Sequence, residues 1–166
     1  MSMTTIRPLN PNQELSALKA LLDAKDGVRL EQCLPAVADG EAFILVAIQA
    51  DAVVGVGIVH TAARIDMGWD PQGGTLDFLQ SGGAYVENIE VKRPLRSQGI
   101  GSLLLRTIEQ EALRRGCMRI WLHTGDDNLG AQRFYARNGW QHKETLQVPW
   151  KPIGRLSLVY FKDLSA

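Results

Sequence analysis

The sequence predicts a single α/β domain built on a mixed, mostly antiparallel sheet of about seven strands, with helices on both faces. Three observations predict it. β-rich runs and helically periodic runs follow one another along 166 residues, a length that suits one compact core. The connections differ in kind, a two-residue hairpin in one place and a helix between strands in others, so antiparallel and parallel pairs share the sheet. Composition is that of an ordinary folded domain, 45% hydrophobic and 22% charged, which argues against disorder.

Each element has its own signal. MTTIRPL (3–9) reads as a first strand, ended by Pro8 and the turn-forming Asn10-Pro11. From Asn12, Leu15, Leu18 and Leu22 recur at helical spacing, and Gly27 is expected to break the helix. A weaker helix is expected over Val28–Val37, interrupted by Pro35. EAFILVAIQ (41–49) and AVVGVGIVHTAAR (52–64) are strands joined at Ala50-Asp51; Gly55 and Gly57 mark a bulge or a close contact in the second. Residues 66–83, with two Gly-Gly pairs and Pro71, read as a long loop. AYVENIEV (84–91) is a strand stopped by Pro94. Gly99–Arg115 is a helix whose stripe is Ile100, Leu104, Ile108 and Ala112, capped by Gly116. MRIWLHT (118–124) is a buried strand. GDDN (125–128) opens a short helix that Asn138-Gly139 closes. WQHKETLQV (140–148) and GRLSLVYFKDL (154–164) are the last two strands.

Charge and cysteine content narrow the function classes. Eighteen basic and eighteen acidic residues leave no net charge, which disfavours a nucleic-acid-coating surface. No apolar run nears the roughly 20 residues that span a bilayer, and the N-terminus lacks a signal-peptide pattern. Cys33 and Cys117 form no metal-ligand spacing, so no metal is expected. Two reduced thiols suit a cytoplasmic protein.

The stretch RSQGIG (96–101) raises a sharper question. A strand, a two-glycine loop and a helix start make an anion site, because first-turn N–H groups lack intrahelical partners and the helix dipole favours negative charge. Arg96 adds a cation and Ser102 a hydroxyl. The loop is neither a Walker A sequence nor a full dinucleotide fingerprint, since position 104 is Leu. On spacing alone, a tight strand-to-helix junction with no ligand is the favoured explanation.

Arg96-x-x-Gly99-x-Gly101 resembles the acetyl-coenzyme A signature of the GNAT superfamily of N-acetyltransferases. NLGAQRFYARNGW (128–140) resembles that family's second conserved segment at Asn128, Ala131, Tyr135, Gly139 and Trp140. The resemblance is specific over residues 84–140 and elsewhere rests on element order. It implies the acyl-CoA N-acyltransferase fold and a fourth and fifth strand that part to admit acetyl-coenzyme A. Backbone groups of Ile89 and Val91 would pair with the pantetheine arm. Amides of Arg96, Ser97, Gln98, Gly99, Ile100, Gly101 and Ser102 would hold the pyrophosphate.

The implied activity is direct acetyl transfer to a primary amine. Tyr135 would be the acid that meets the leaving thiolate; otherwise it is an aromatic packed at the helix–sheet seam. Asn128 would bond the cofactor or merely cap its helix. Glu87 leads as base or anchor for a cationic amine, and strand alternation puts it with Tyr85, Ile89 and Val91 unless a bulge intervenes. Glu90 is second, and either glutamate is otherwise a solvated strand residue. His60 and His123 end strands and are weaker candidates. Trp69, Asp70, Phe78 and Tyr85 would shape the acceptor pocket, and the acidic Asp66, Asp70 and Asp77 would suit a cationic amine.

The expected acceptor is a small-molecule amine, with no nucleic-acid or membrane partner. The alternatives are acetylation of a protein N-terminus or lysine, or a non-catalytic acyl-coenzyme A sensor. By analogy with relatives, GRLSLVYFKDL would serve a homodimer contact.

Overall fold

The computed structural model describes residues 2–61, 81–147 and 155–165. Its strands are β1 (Thr4–Pro8), β2 (Ala42–Gln49), β3 (Ala52–His60), β4 (Gly83–Val91), β5 (Arg119–Gly125), β6 (Gln141–Gln147) and β7 (Leu156–Asp163). Its helices are α1 (Pro11–Leu21), α2 (Ala24–Ala38), α3 (Ile100–Arg114) and α4 (Leu129–Arg137). Most of the expected 66–83 loop, with Asp66, Trp69, Asp70, Asp77 and Phe78, lies outside the described residues, as does the Pro149–Pro152 turn.

The chain divides into two compact units, 1–61 with 86–111 and 62–85 with 112–166, so β4 begins in the second and ends in the first. In the first unit, β1 pairs antiparallel with β2, and β2 with β3. Ala50 and Asp51 both take positive φ, 48° and 60°, which matches the twist of a two-residue hairpin. The register then slips at Ala47/Ile48, whose partners are Gly55 and Val53; this is the expected bulge. In the second unit, Gly83–Tyr85 run parallel to Arg119–Trp121, and β7 lies antiparallel between β5 and β6. The strand order is β1-β2-β3-β4-β5-β7-β6. β7, expected at a homodimer contact, therefore has both backbone edges occupied, and β6 is the edge strand.

Helices cover both faces of the first unit, and strand alternation shows why. Val56 and Ile58 point to one face of β3, where they join Leu18 and Leu22 of α1, Leu30 and Cys33 of α2, and Ile44 and Val46 of β2. Leu18 and Leu30 are fully buried, each worth about 1.5–3 kcal/mol relative to exposure. Gly57 points to the other face and lets α3 approach. A Cβ there would stand 2.4 Å from Ile108 Cδ1.

One boundary differs from expectation. Gly27 does not end a helix; it is a buried interior residue of α2. The break falls at Leu22–Asp23, because the Asp23 side chain accepts a hydrogen bond from the Asp26 amide (2.8 Å) and starts α2 four residues early. Pro35 sits within the last turn of α2 without ending it.

Candidate functional site

The first unit holds the RSQGIG loop. The β4 exit is pinned where the Lys92 amide donates to the Val54 carbonyl (2.8 Å), and a 3-10 turn, Arg93–Leu95, follows. Ser97 and Gly99 then take φ of 63° and 85°, an alternation that curls successive amides toward a common concavity. The Leu103 amide closes the first α3 bond onto the Gly99 carbonyl (3.0 Å). The amides of Ile100, Gly101 and Ser102 precede that bond, so they have no intrahelical partner. Ile100 is buried against Ala47 and Val54, which anchors the helix start.

Arg96 differs from its expected role as a cation at the mouth. Its Nε donates to the Val91 carbonyl (2.9 Å) and its Nη2 pairs with Glu90. It ties the loop back to β4, and it occupies the second-choice glutamate. Beside it, a groove of about 350 Å³ runs between α1 (Ala17, Ala20, Leu21) and Lys92, Arg93 and Arg96.

The same unit brings His60 and Glu87 together, with Nε2 and Oε2 2.6 Å apart and both side chains about one-fifth exposed. Cys33, buried on α2, joins them: one ligand-type atom from each of the three lies within 4.8 Å of the others. Burial, with a smaller contribution from the Glu87 charge, pushes the Cys33 thiol up to about 12. It is a neutral thiol at neutral pH. This grouping is what the sequence hid. The residues sit on three elements; Glu87 and His60 were each candidates, His60 by the alternation that places it with Val56 and Ile58 on the α2 face, and Cys33 carried no signal.

Strict alternation along β4 fails. Glu87 meets His60 on the α2 face, whereas Val91 packs beside Ala47, Val54 and Ile100 on the α3 face. Glu87 and Val91 therefore lie on opposite sides, the exception to alternation that a bulge in this strand was expected to make.

In the second unit, Tyr135 of α4 is buried against Phe134, Trp140 and Tyr160, at ring separations of 5.2, 5.3 and 6.0 Å. Burial raises its phenol well above the ordinary tyrosine range, so the proton stays on oxygen. Asn128 caps α4: its Oδ1 accepts from the Ala131 amide (3.1 Å). Tyr85 and His123 meet through the phenol oxygen and Nε2 (3.1 Å), and Tyr85 packs on Trp121.

The model of the Acetyltransferase (GNAT) family matches residues 13–140. An L-ornithine N5-acetyltransferase of Arabidopsis thaliana is 36% identical over 64 residues, 39% of this chain and 28% of that protein. The chain spans about a third or less of the length of the curated relatives it matches first. A GNAT-family acetyltransferase structure from Desulfovibrio desulfuricans superposes with a TM-score of 0.74 at 14% identity, covering 98% of this chain and all of that one. A streptothricin acetyltransferase from Bacillus anthracis, solved with acetyl coenzyme A, gives 0.60 at 18% identity, over 75% of this chain and 64% of that one. With the family model covering most of its length, the seven-strand order and the RSQGIG loop at the start of α3, the chain belongs to the GNAT acetyltransferase family.

Proposed function

We propose that the protein transfers an acetyl group from acetyl-coenzyme A to a small primary amine, directly and without an acyl-enzyme. The observation that carries this is the loop of residues 96–102. Its left-handed Ser97 and Gly99 and its first-turn amides, which have no intrahelical partner, suit a pyrophosphate, and its sequence resembles the family's signature. The acetyl donor enters by analogy with the Bacillus anthracis neighbour's bound acetyl coenzyme A. The small amine enters through the relative named for L-ornithine.

When bound, acetyl-coenzyme A supplies the acetyl group as a thioester, and its sulfur leaves as a thiolate. The chain's residues have two proton tasks. A protonated amine must lose a proton before it attacks, and the Glu87 carboxylate, held in place by His60, accepts it. Its negative charge also favours a cationic acceptor. At the sulfur, the Tyr135 phenol is the donor. Burial keeps its proton on oxygen at neutral pH, so the phenol remains a hydrogen-bond donor for the thiolate. Amides of residues 96–102 hold the pyrophosphate, backbone groups of Ile89 and Val91 meet the pantetheine arm, and Asn128 adds its remaining amide group.

Thermal unfolding with acetyl-coenzyme A, coenzyme A, NAD or ATP tests the reading. A ligand at a hundredfold excess over its dissociation constant adds about 2.7 kcal/mol to stability. Stabilisation by the two coenzyme A ligands, absent in a folded Gly101→Trp variant, is expected. No shift with either, in a cooperatively unfolding protein, overturns the proposal.

A further inference from the structure

The Cys33–His60–Glu87 group is used only in part by the proposed reaction. We infer that these three side chains form a zinc site of three protein ligands with an open fourth position. The donors are of zinc's preferred kinds, one sulfur, one imidazole nitrogen and one carboxylate oxygen. Zinc–ligand bonds of about 2.0–2.3 Å set tetrahedral ligand atoms about 3.3–3.8 Å apart. The His60–Glu87 pair, now at 2.6 Å, must open by roughly 1 Å, and the atoms within 4.8 Å must close by about as much. Rotamer adjustments of that size leave the backbone in place.

Three further features favour a shared ion. The ligands stand on hydrogen-bonded elements, α2, β3 and β4, which limits their motion. Cys33 is closed off, whereas His60 and Glu87 keep partial exposure, so the open position faces their side. Cys33 would release its proton on binding the ion, the resulting thiolate and the carboxylate together balance a dication, and a sulfur ligand selects zinc or cobalt over magnesium or calcium. A nucleophilic role for Cys33 fits less well, because reactive cysteines occupy exposed, electropositive settings and this one is buried beside a carboxylate. If Glu87 is the proton acceptor proposed above, an occupied site withholds it from the amine and zinc switches transfer off. The metal site itself does not depend on that reading.

The test is metal binding by the full chain after chelator treatment. Cobalt(II) titration of the wild type should saturate at one equivalent with a thiolate-to-cobalt charge-transfer band, and zinc should displace it. Losing a neighbour of a ligand typically weakens metal binding 10–100-fold, so losing a ligand outright should cost at least about 100-fold. Cys33→Ser should abolish the band and weaken zinc binding by that much, and His60→Ala should weaken it similarly. Cys117→Ser, the other buried thiol, should leave both unchanged. Circular dichroism confirms that each variant is folded. No charge-transfer band in folded wild type at excess cobalt, or zinc affinity unchanged in folded Cys33→Ser, overturns the proposal. Inhibition of turnover is a separate reading, so failure of the metal site and failure of Glu87 as acceptor are distinguishable.

Discussion

His60 Nε2 lies 2.6 Å from Glu87 Oε2, joining the last residue of β3 to the middle of β4. The contact ties the carboxylate to the imidazole. Glu87→Gln, which keeps size and loses proton affinity, is expected to lower kcat by about 10²–10⁴-fold, the usual span for a general base. The loss should be greatest at low pH, where the amine arrives protonated. In the proposed transfer His60 would position Glu87. His60→Ala should cost less, and His60→Gln, which retains a donor, should recover part of the rate. A Glu87→Gln profile parallel to wild type at every pH would count against the carboxylate as acceptor.

Gly57 and Ile108 make a second close relationship. With only 2.4 Å available to a Cβ, Gly57→Ala must displace α3 or twist Ile108. Overpacking of this kind costs about 1–3 kcal/mol, readable as a lower urea midpoint. Gly57→Ala with Ile108→Ala should be less destabilised than the sum of the singles, because the smaller residue vacates the space the methyl needs. Strict additivity would mean that the two sites do not meet.

Gly99 is constrained by backbone rather than space. Its φ is 85°, and apart from its chain neighbours no heavy atom among the described residues lies within 4 Å of the position a Cβ would take. Gly99→Ala should cost about 1–2 kcal/mol, the penalty of a left-handed residue carrying a side chain. Gly99→Asn should cost less, since Asn tolerates that region. Acetyl-coenzyme A affinity should follow the same order, measured by calorimetry.

Tyr135, the proposed donor to the thiolate, also bears on alkaline stability. Its phenol is raised from 10.0 by burial, so the favourable term is intact below pH 10 and is lost as pH rises above it, once the unfolded chain ionises and the folded one resists. Wild type should lose stability above pH 10 more steeply than Tyr135→Phe. The same variant should lower kcat while cofactor affinity stays within about twofold. Equal alkaline slopes would mean that the phenol titrates freely in the folded state.

Much of this was legible in the residues. Seven strands and the α3 and α4 boundaries follow from period, Gly116, Asn128 and Gly139, because those signals are local. The start of α2 was not, since the Asp23 cap outweighed the breaking tendency of Gly27. The roles of Gly55 and Gly57 as bulge and contact were anticipated as alternatives, and the structure shows both. The Cys33–His60–Glu87 grouping had no signature because its members meet only after α2 packs on β3 and β4. Nor did alternation reveal that Glu87 and Val91 face opposite ways, since a reversal in β4 leaves no mark on the pattern. Arg96 was read as a free cation, and only the fold shows Glu90 and the Val91 carbonyl claiming it.

Amine-dependent release of coenzyme A thiol, measured with purified protein, acetyl-coenzyme A and a panel of small primary amines including L-ornithine, tests the proposed transfer most directly. Release that saturates with at least one amine, and falls about 10²-fold or more in folded Glu87→Gln, is the expected result. Binding of acetyl-coenzyme A with no amine-dependent release from any member of the panel would contradict transfer to a small amine and leave a protein that holds the cofactor without using it.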